Sequence, residues 1–202
     1  GKPVVTANKE LLANVGTELA TEADAAGVDL LFDAAVAGAI PIVRVLRESL
    51  RGEPISRVMG IVNGTTNYIL TKMSDHGASY ESALADAQQL GFAERDPTAD
   101  VEGFDAGAKA AIMASIASGT KVVAGNVYHE GIADISVDDI AVAKRLGYVV
   151  KLLAIVEFDA GDNDGDSSGS VAVRVHPAMV PVEHPLAGVR DSYNAVFVEG
   201  GA

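Results

Sequence analysis

Two ionisable side chains stand four residues apart on an otherwise apolar helix, at a spacing that could support acid–base chemistry. The segment 104–116 predicts a helix in which Asp105 and Lys109 continue the face that carries Ile112 and Ile116. Alanines occupy most of the other positions, so the helix is expected to be buried nearly all round. Burial favours a neutral lysine and nearby carboxylates favour a charged one, and together they can poise an amine for proton transfer.

An ordinary ion pair on a solvated helix is the alternative interpretation of the same spacing. Such an i, i+4 pair stabilises a helix by only about 0.3–0.5 kcal/mol. Ionisable groups on a buried helix, in contrast, need partners and often have a function. The residues of this helix taken alone favour the two interpretations about equally.

Composition and charge exclude several classes of function. With 202 residues, of which 49% are hydrophobic, the chain can form one large domain or two interlocked ones. Its net charge of −13 argues against nucleic acids and anionic membranes as partners. No apolar run reaches the roughly 18 residues that span a bilayer, so a cytoplasmic protein is expected. The absence of cysteine excludes disulfides, thiolate metal sites and thiol nucleophiles.

Hydrophobic patterns predict an α/β protein that opens with a βαβ unit. A short strand at 3–7, a helix at 10–26 and a buried strand at 28–36 form this unit, and Asn8 could cap the helix. Further helices are expected after Pro41 and at 64–73, 80–90, 104–116 and 136–146. Further strands are expected at 55–62, 122–127, 152–158, 171–175 and 194–198.

Some segments suggest irregular structure or a chain end. The segment around Pro177, Pro181 and Pro185 is expected to be irregular surface. The connector 159–170 has the alternating aspartates of a calcium loop but lacks its glycine and glutamate, so it is interpreted as a solvated hairpin loop. Because both ends of the chain run abruptly into strand patterns, missing sequence is expected on both sides.

Two turns between a strand and a helix could bind anions or carbonyl oxygens. Lys9 lies in the first turn of the first helix, where a positive charge is unfavourable unless an anionic ligand or polarised carbonyl lies nearby. A capped helix with an exposed lysine is the simpler interpretation. In the turn 63–67, Thr65 or Thr66 can cap the helix and leave backbone N–H groups for a carboxylate or carbonyl oxygen. A capped turn without a ligand is again the alternative.

Six segments resemble homoserine dehydrogenase and follow one another in the order of that family. They cover nearly the entire chain and are VVTANK at 4–9, FDAAVAGAIPI at 32–42, GIVNGTTNYIL at 60–70, LGFAERDPTADVEGFDAGAK at 90–109, KRLGYVVKLLA at 144–154 and HPLAGVRDSYNAVFV at 184–198.

The resemblance implies a fold and its domains. Residues 1–36 would be the end of a Rossmann-type dinucleotide-binding domain. Residues 37–202 would be an α+β catalytic and dimerisation domain with a mixed sheet, helices on one face and a truncated C-terminal end. No G-x-G-x-x-G occurs in the chain, so the segment that cradles the pyrophosphate would lie upstream. The isolated residues are therefore expected to have little or no dehydrogenase activity.

The resemblance also implies an activity and the residues that perform it. The enzyme would interconvert L-homoserine and L-aspartate 4-semialdehyde with NADP or NAD, in threonine, methionine and isoleucine biosynthesis. Lys109 matches the proton donor to the aldehyde oxygen, and Lys9 would lie near the nicotinamide and the reacting carbon. The remaining matches are to residues that bind substrate, which are Glu94, Asp105 and Thr66, and to residues that contact cofactor, which are Thr6, Lys9 and Gly91.

A monovalent-cation site, usually for sodium, is a further implication of the resemblance. Asp33 matches a ligating side chain, and Val36, Gly38 and Ile40 match backbone carbonyl ligands. The family's usual residue at the first position is glutamate, and aspartate is shorter by one methylene. From the composition of this turn alone, a hard cation is a poor prediction. A homodimer or a dimer of dimers is also expected from the family.

Two other functions remain open at this stage. The chain could be a non-catalytic amino-acid-binding module on the same fold, or another NAD(P)-dependent semialdehyde reductase. The absence of cysteine argues against a phosphorylating aldehyde dehydrogenase, because those enzymes form a thioester on a cysteine.

Overall fold

The computed structural model describes residues 1–159 and 169–200. The described helices are α1 (Lys9–Ala25), α2 (Ile42–Arg44), α3 (Gly64–His76), α4 (Tyr80–Gln89), α5 (Thr98–Val101), α6 (Phe104–Ser118) and α7 (Val137–Arg145). The described strands are β1 (Val4–Val5), β2 (Leu30–Leu31), β3 (Ile55–Ile61), β4 (Tyr128–His129), β5 (Tyr148–Asp159), β6 (Ser170–Pro181) and β7 (Ala195–Gly200). The connector 160–168, where the calcium-loop pattern falls, lies outside the described residues.

The chain begins with the expected βαβ unit, in which β1 and β2 pair in parallel and α1 connects them. Asn8 caps α1, because its side-chain oxygen accepts a hydrogen bond of 3.1 Å from the Leu11 N–H. The predicted strand at 28–36 is shortened to β2, since the chain turns into a 3-10 helix at Asp33–Ala35. The expected helix after Pro41 consists of α2 followed by a π-helical turn, Val45–Ser49.

A five-stranded mixed sheet follows, in the order β4-β6-β5-β3-β7. β5 pairs antiparallel with β6 and with β3, β3 pairs antiparallel with β7, and β4 pairs in parallel with β6. This architecture confirms the predicted α/β class and the mixed sheet.

Alternation of side chains along β5 divides the core between the two faces of this sheet. Val150, Leu152, Ala154 and Val156 belong to the large cluster that includes α3, α6 and α7. Leu153 and Ile155 of β5 point to the other face and belong to a smaller cluster with Ile61, Val180, Leu186 and Ala187. Leu186 and Ala187 lie in a short 3-10 helix, Pro185–Gly188, and no residue of the described helices α1–α7 belongs to the smaller cluster.

Two predictions about this sheet were wrong. The segment 122–127 forms no strand, because the backbone N–H and C=O of Val122 both bond to the Ser115 hydroxyl, each at 3.0 Å. Pro177 and Pro181 lie within β6 rather than in irregular surface, opposite Leu152 and Tyr148 of β5. β4 pairs with β6 only at residues 174 and 175, so the missing N–H groups of the two prolines remove no hydrogen bond from the β4–β6 pair.

Candidate active site

Asp105 joins two lysines that come from different parts of the chain. Its Oδ1 lies 2.9 Å from the Nζ of Lys9, at the start of α1, and its Oδ2 lies 2.6 Å from the Nζ of Lys109, one turn along α6. The Asp105 side chain is only 7% exposed, Lys109 is 16% exposed and Lys9 is 37% exposed. A buried carboxylate thus forms two ion pairs beside an opening to solvent on the Lys9 side.

The small residues of α6 allow this arrangement. Ala106, Ala110 and Ala111 are almost completely buried, so neighbouring elements approach the α6 backbone closely. Asp105 is the second residue of α6, and the partial positive charge of the helix N-terminus also favours its carboxylate. The predicted buried helix is therefore confirmed, and the interpretation as a solvated surface ion pair is wrong.

Asn63, between β3 and α3, is the third partner of the Asp105 carboxylate. Its Nδ2 donates to Asp105 Oδ2 at 2.9 Å and to Asp100 Oδ1 at 2.7 Å. Its Oδ1 accepts the backbone N–H of Thr66 at 2.9 Å, which makes Asn63 the cap of α3. The prediction that Thr65 or Thr66 caps this helix was wrong, because both hydroxyls donate to other groups: Thr65 to the Phe92 carbonyl and Thr66 back to Asn63.

The ion pairs determine which protonation states the site holds. Burial by itself would raise the pKa of Asp105, but the Lys109 charge and hydrogen bonds from Lys109, Lys9 and Asn63 outweigh it and lower that pKa. The hydrogen bond to Asp105 raises the pKa of Lys9, against a smaller opposing effect of burial. Asp105 is thus an anion and Lys9 a cation at neutral pH.

Lys109 has one donor left for a ligand. Its Nζ donates to the Val62 carbonyl at 2.7 Å and to Asp105 Oδ2 at 2.6 Å. An ammonium has three N–H groups, so the third has no acceptor among the described residues. A ligand oxygen next to this nitrogen would complete its hydrogen bonding.

Glu94 and Asp100 differ in their distance from this cluster. The Glu94 side chain is exposed and forms no ion pair with a described residue, although its backbone carbonyl accepts from Gln88 at 3.0 Å. Asp100 was not singled out from the sequence, yet its carboxylate lies against Asn63. Its place in the same acidic segment was the available signal, but the short helix α5 that carries Asp100 was not predicted.

The expected cofactor-contacting residues occupy turns. The Thr6 hydroxyl accepts the Asn8 N–H at 3.1 Å at the carboxyl end of β1, three residues before Lys9 of the cluster. Gly91 has a φ of +80°, which favours glycine, and no described atom lies within 4 Å of the place that a Cβ would take. The turn at Gly91 therefore leaves room for a ligand.

The turn expected to bind a cation has oxygens with and without partners. One Asp33 carboxylate oxygen accepts the Arg44 N–H at 2.9 Å, and the Ile40 carbonyl accepts the Ile42 N–H at 2.8 Å. The carbonyls of Val36 and Gly38 accept no hydrogen bond from the residues described. Residues 1–159 and 169–200 contain no cluster of three or more His, Asp or Glu side chains that could bind a metal.

One buried amide near this turn also lacks a partner. The side-chain oxygen of Asn194 is buried and forms no hydrogen bond with the described chain. The nitrogen of the same amide lies 4.0 Å from the position that a Cβ on Gly38 would occupy. Available backbone carbonyls and an unpartnered amide oxygen are suited to a hard cation.

A cavity of about 280 Å³ lies away from the two lysines. It is enclosed by α1, β2 and the C-terminal half of α6, and residues such as Leu12, Leu30 and Ile116 line it. None of the expected site residues lines this cavity, so the cavity is separate from the ion-pair cluster. Within the described residues, no helix has the length and apolar character needed to cross a membrane.

This geometry defines a class of protein: an α/β fold with a βαβ unit, a mixed sheet and a lysine–carboxylate cluster between them. A family model described as homoserine dehydrogenase matches residues 41–202. The homoserine dehydrogenase of Corynebacterium glutamicum is 57% identical over 202 residues, which cover 100% of this chain and 45% of that protein. The homoserine dehydrogenase of Bacillus subtilis is 48% identical over 201 residues, 100% of this chain and 45% of that protein. The chain belongs to the homoserine dehydrogenase family, whose members are NAD(P)-dependent oxidoreductases.

Solved structures agree with this assignment. A homoserine dehydrogenase from Thiobacillus denitrificans superposes with a TM-score of 0.91 at 44% identity, covering 99% of this chain and 44% of that one. A hyperthermophilic archaeal homoserine dehydrogenase in complex with NADPH superposes with a TM-score of 0.82 at 31% identity, covering 98% of this chain and 55% of that one. The chain spans less than half the length of the curated relatives described above.

Proposed function

We propose that the protein carrying this chain is an NAD(P)-dependent homoserine dehydrogenase, which interconverts L-homoserine and L-aspartate 4-semialdehyde. Its place would be the biosynthesis of threonine, methionine and isoleucine. The observation that carries this proposal is the shared carboxylate: Asp105 holds Lys9 and Lys109 side by side at an opening to solvent. Membership of the family supplies the reaction to which such a pair is suited.

Lys109 is the proposed proton donor and acceptor. In the reductive direction its ammonium gives a proton to the aldehyde oxygen as that carbon becomes an alcohol, and in the oxidative direction its neutral amine removes the hydroxyl proton. The two bonds to Val62 and Asp105 direct the third N–H toward a ligand. The bound nicotinamide cofactor would supply or accept the hydride.

Lys9 is the proposed electrostatic partner. Asp105 keeps it cationic, and at 37% exposure its ammonium can reach a substrate oxygen that gains negative charge during hydride transfer. Asp105 itself uses Oδ1 on Lys9 and Oδ2 on Lys109 and Asn63. Its role in substrate binding is therefore to hold the two ammonium groups that contact the substrate.

The substrate ammonium requires acidic partners that remain accessible. Glu94 is proposed for this role from the family, and Asp100 is proposed from its position against Asn63 beside the cluster. The Thr66 hydroxyl is buried and donates to Asn63, so we propose that Thr66 supports the substrate site through Asn63.

The cofactor side of the site comprises Thr6, Lys9 and Gly91. The carboxyl end of a parallel strand is where α/β sheets bind ligands, and Thr6 follows β1 there. The cofactor is NADP or NAD, and an archaeal relative of similar structure is in complex with NADPH. Residues 1–36 would belong to the dinucleotide-binding domain and residues 37–202 to the catalytic and dimerisation domain.

A monovalent cation, sodium by analogy with the family, is proposed for the turn after β2. Its ligands would be the second carboxylate oxygen of Asp33 and the carbonyls of Val36, Gly38 and Ile40. The available Val36 and Gly38 carbonyls support this site, whereas the Ile40 carbonyl already accepts one hydrogen bond. A cation here would order this turn. A homodimeric, cytoplasmic enzyme is part of the same proposal.

The full-length protein tests the proposal directly. L-homoserine with NADP or NAD should yield reduced nicotinamide and an aldehyde in equal amounts. A hydrazine traps the aldehyde for measurement. L-serine, shorter by one methylene, is the matched control and should react far more slowly. Calorimetric binding of L-homoserine with no turnover would favour the amino-acid-binding module. Turnover of other semialdehydes but not of L-aspartate 4-semialdehyde would favour a different reductase.

A further inference from the structure

Lys151 of β5 is a buried lysine that the proposed reaction does not use. It is 1% exposed, and its Nζ donates to Asn67 Oδ1 at 2.9 Å and to the Val189 carbonyl at 2.5 Å. No carboxylate of the described residues forms an ion pair with it. Burying an unpaired ammonium costs free energy, so a lysine at this position requires a reason.

The acceptors of Lys151 belong to α3 and to a loop that lies against it. The loop comprises residues 189–194, and Asn67 donates to two of its carbonyls, those of Tyr193 at 3.1 Å and Val189 at 3.4 Å. The Ser192 carbonyl of this loop is so close to Gly64 that a Cβ there would lie 2.7 Å from it. The loop therefore packs directly on the first turn of α3.

The other end of this contact network is the candidate active site. The Asn67 N–H bonds to the Asn63 carbonyl at 3.3 Å, one helical turn away. Asn63 in turn donates to Asp105 Oδ2 at 2.9 Å, the oxygen that also binds Lys109. A continuous series of hydrogen bonds thus connects Lys151 to the carboxylate that orients the catalytic lysines.

We infer that Lys151 is a positioning residue for the proposed dehydrogenase reaction. By holding Asn67 and the loop 189–194 together, it fixes the first turn of α3 and so the Asn63 amide that orients Asp105. An apolar residue would fill the same space but would leave the Asn67 side-chain oxygen without a donor, and the Val189 carbonyl with only the 3.4 Å bond from Asn67. The inference rests on the proposed function, although the contact network can be tested without it.

Charged groups around Lys151 affect how it titrates. Burial and the Arg190 charge lower its pKa to about 8, while Asp75 and Asp191 raise it. Arg190 forms an ion pair with Asp75 at the far end of α3. A neutral lysine still has two N–H donors for its two acceptors, so the network keeps its hydrogen bonds above that pKa.

The test compares two variants of the full-length protein with a matched control. Lys151→Met removes the donors, and Asn67→Asp keeps an acceptor for Lys151 but removes the amide donor to the loop. Lys144→Met, at an exposed lysine of α7, is the control. At a temperature well below unfolding, both site variants should lose about tenfold or more in kcat, with the KM for cofactor changed less than about twofold. The control should keep wild-type values.

Hydrogen exchange supplies a readout that needs no turnover. The Thr66 amide donates to Asn63 Oδ1, so it should exchange about tenfold or more faster in Lys151→Met if the network holds that turn. Wild-type kcat in folded Lys151→Met and Asn67→Asp, even with lowered thermal stability, would overturn the inference. If Lys151→Met does not fold, Asn67→Asp decides. If the wild type is inactive, the proposed function fails, and unchanged Thr66 exchange would separately overturn the network.

Discussion

Lys9 and Lys109 donate to opposite oxygens of one carboxylate, at 2.9 Å and 2.6 Å. The shared acceptor, Asp105, fixes the distance between two ammonium groups that would otherwise repel each other. A substrate oxygen in contact with both ammonium groups would have Lys109 as its proton donor and Lys9 as a second positive charge.

Replacing the shared acceptor should change how the protein unfolds in acid. The pKa of Asp105 lies below its usual value of 3.8, so its stabilisation is complete above that value and is lost as the pH falls through the lower folded-state pKa. Asp105→Asn should lower stability at pH 7 by about 2–4 kcal/mol, because it leaves two cations without their anion. Its thermal midpoint should also vary less with pH below about 4 than that of the wild type.

Thermal unfolding followed by circular dichroism between pH 3 and 7 measures both effects. Asp86→Asn, at an exposed aspartate of α4, is the matched control and should leave the wild-type profile nearly intact. If Asp105→Asn and Asp86→Asn unfold alike at every pH, Asp105 is not the stabilising anion of the cluster.

The Asn63 side chain should matter for activity beyond its role as a helix cap. Asn63→Asp retains an oxygen to accept the Thr66 N–H but loses the donors to Asp105 and Asp100, and it adds a third negative charge between them. We expect kcat/KM for L-homoserine to fall by about 10- to 100-fold, because the carboxylate that orients the lysines is displaced.

Steady-state kinetics on a second cap variant separate these effects. Ser79 caps α4, the next helix, by accepting the Ser82 N–H, and Ser79→Asp adds the same charge at that cap. That variant should keep wild-type kcat/KM. Equal losses in the two variants would mean that added charge, rather than the orientation of Asp105, limits activity.

The buried Lys151 should make the wild type more stable in mildly alkaline solution. Its pKa of about 8 lies below the 10.5 of an unfolded lysine, so between these values the unfolded chain binds more protons and stability rises with pH. The gain is about 3 kcal/mol in all. It should be absent in Lys151→Met, which carries no charge to bury.

Thermal midpoints of Lys151→Met and Lys144→Met, measured from pH 7 to 10, isolate this effect. The thermal midpoint of the exposed control should follow that of the wild type at every pH. The midpoint of the wild type should rise relative to that of Lys151→Met as the pH rises. A constant difference across this range would contradict burial of a charged Lys151 at neutral pH.

The sequence predicted elements with strong periodicity better than the contacts among them. The buried helix α6 and the strand β3 were expected within a few residues of their observed ends, because apolar residues predominate in both segments. The cap of α3 was assigned to the wrong residues, since Asn63, Thr65 and Thr66 are all competent caps and only tertiary contacts select among them.

The partners of buried polar groups could not be predicted from local patterns. Lys151 fell just outside the expected strand 152–158, and its acceptors Asn67 and Val189 lie 84 and 38 residues away in sequence. Asp100 and Asn63 are brought together from positions 37 residues apart. Contacts between residues so far apart in sequence form only in the folded protein, whereas the pairing of Asp105 with Lys109 followed from their helical spacing.

Transition-state protonation by Lys109 is the central claim, and Lys109→Ala in the full-length protein tests it most directly. We expect kcat to fall by about 10² or more, with partial recovery when a small primary amine is added to replace the missing group. Lys144→Ala provides the matched control and should retain the wild-type rate. A wild-type kcat in Lys109→Ala would contradict the assignment of this lysine as the proton donor.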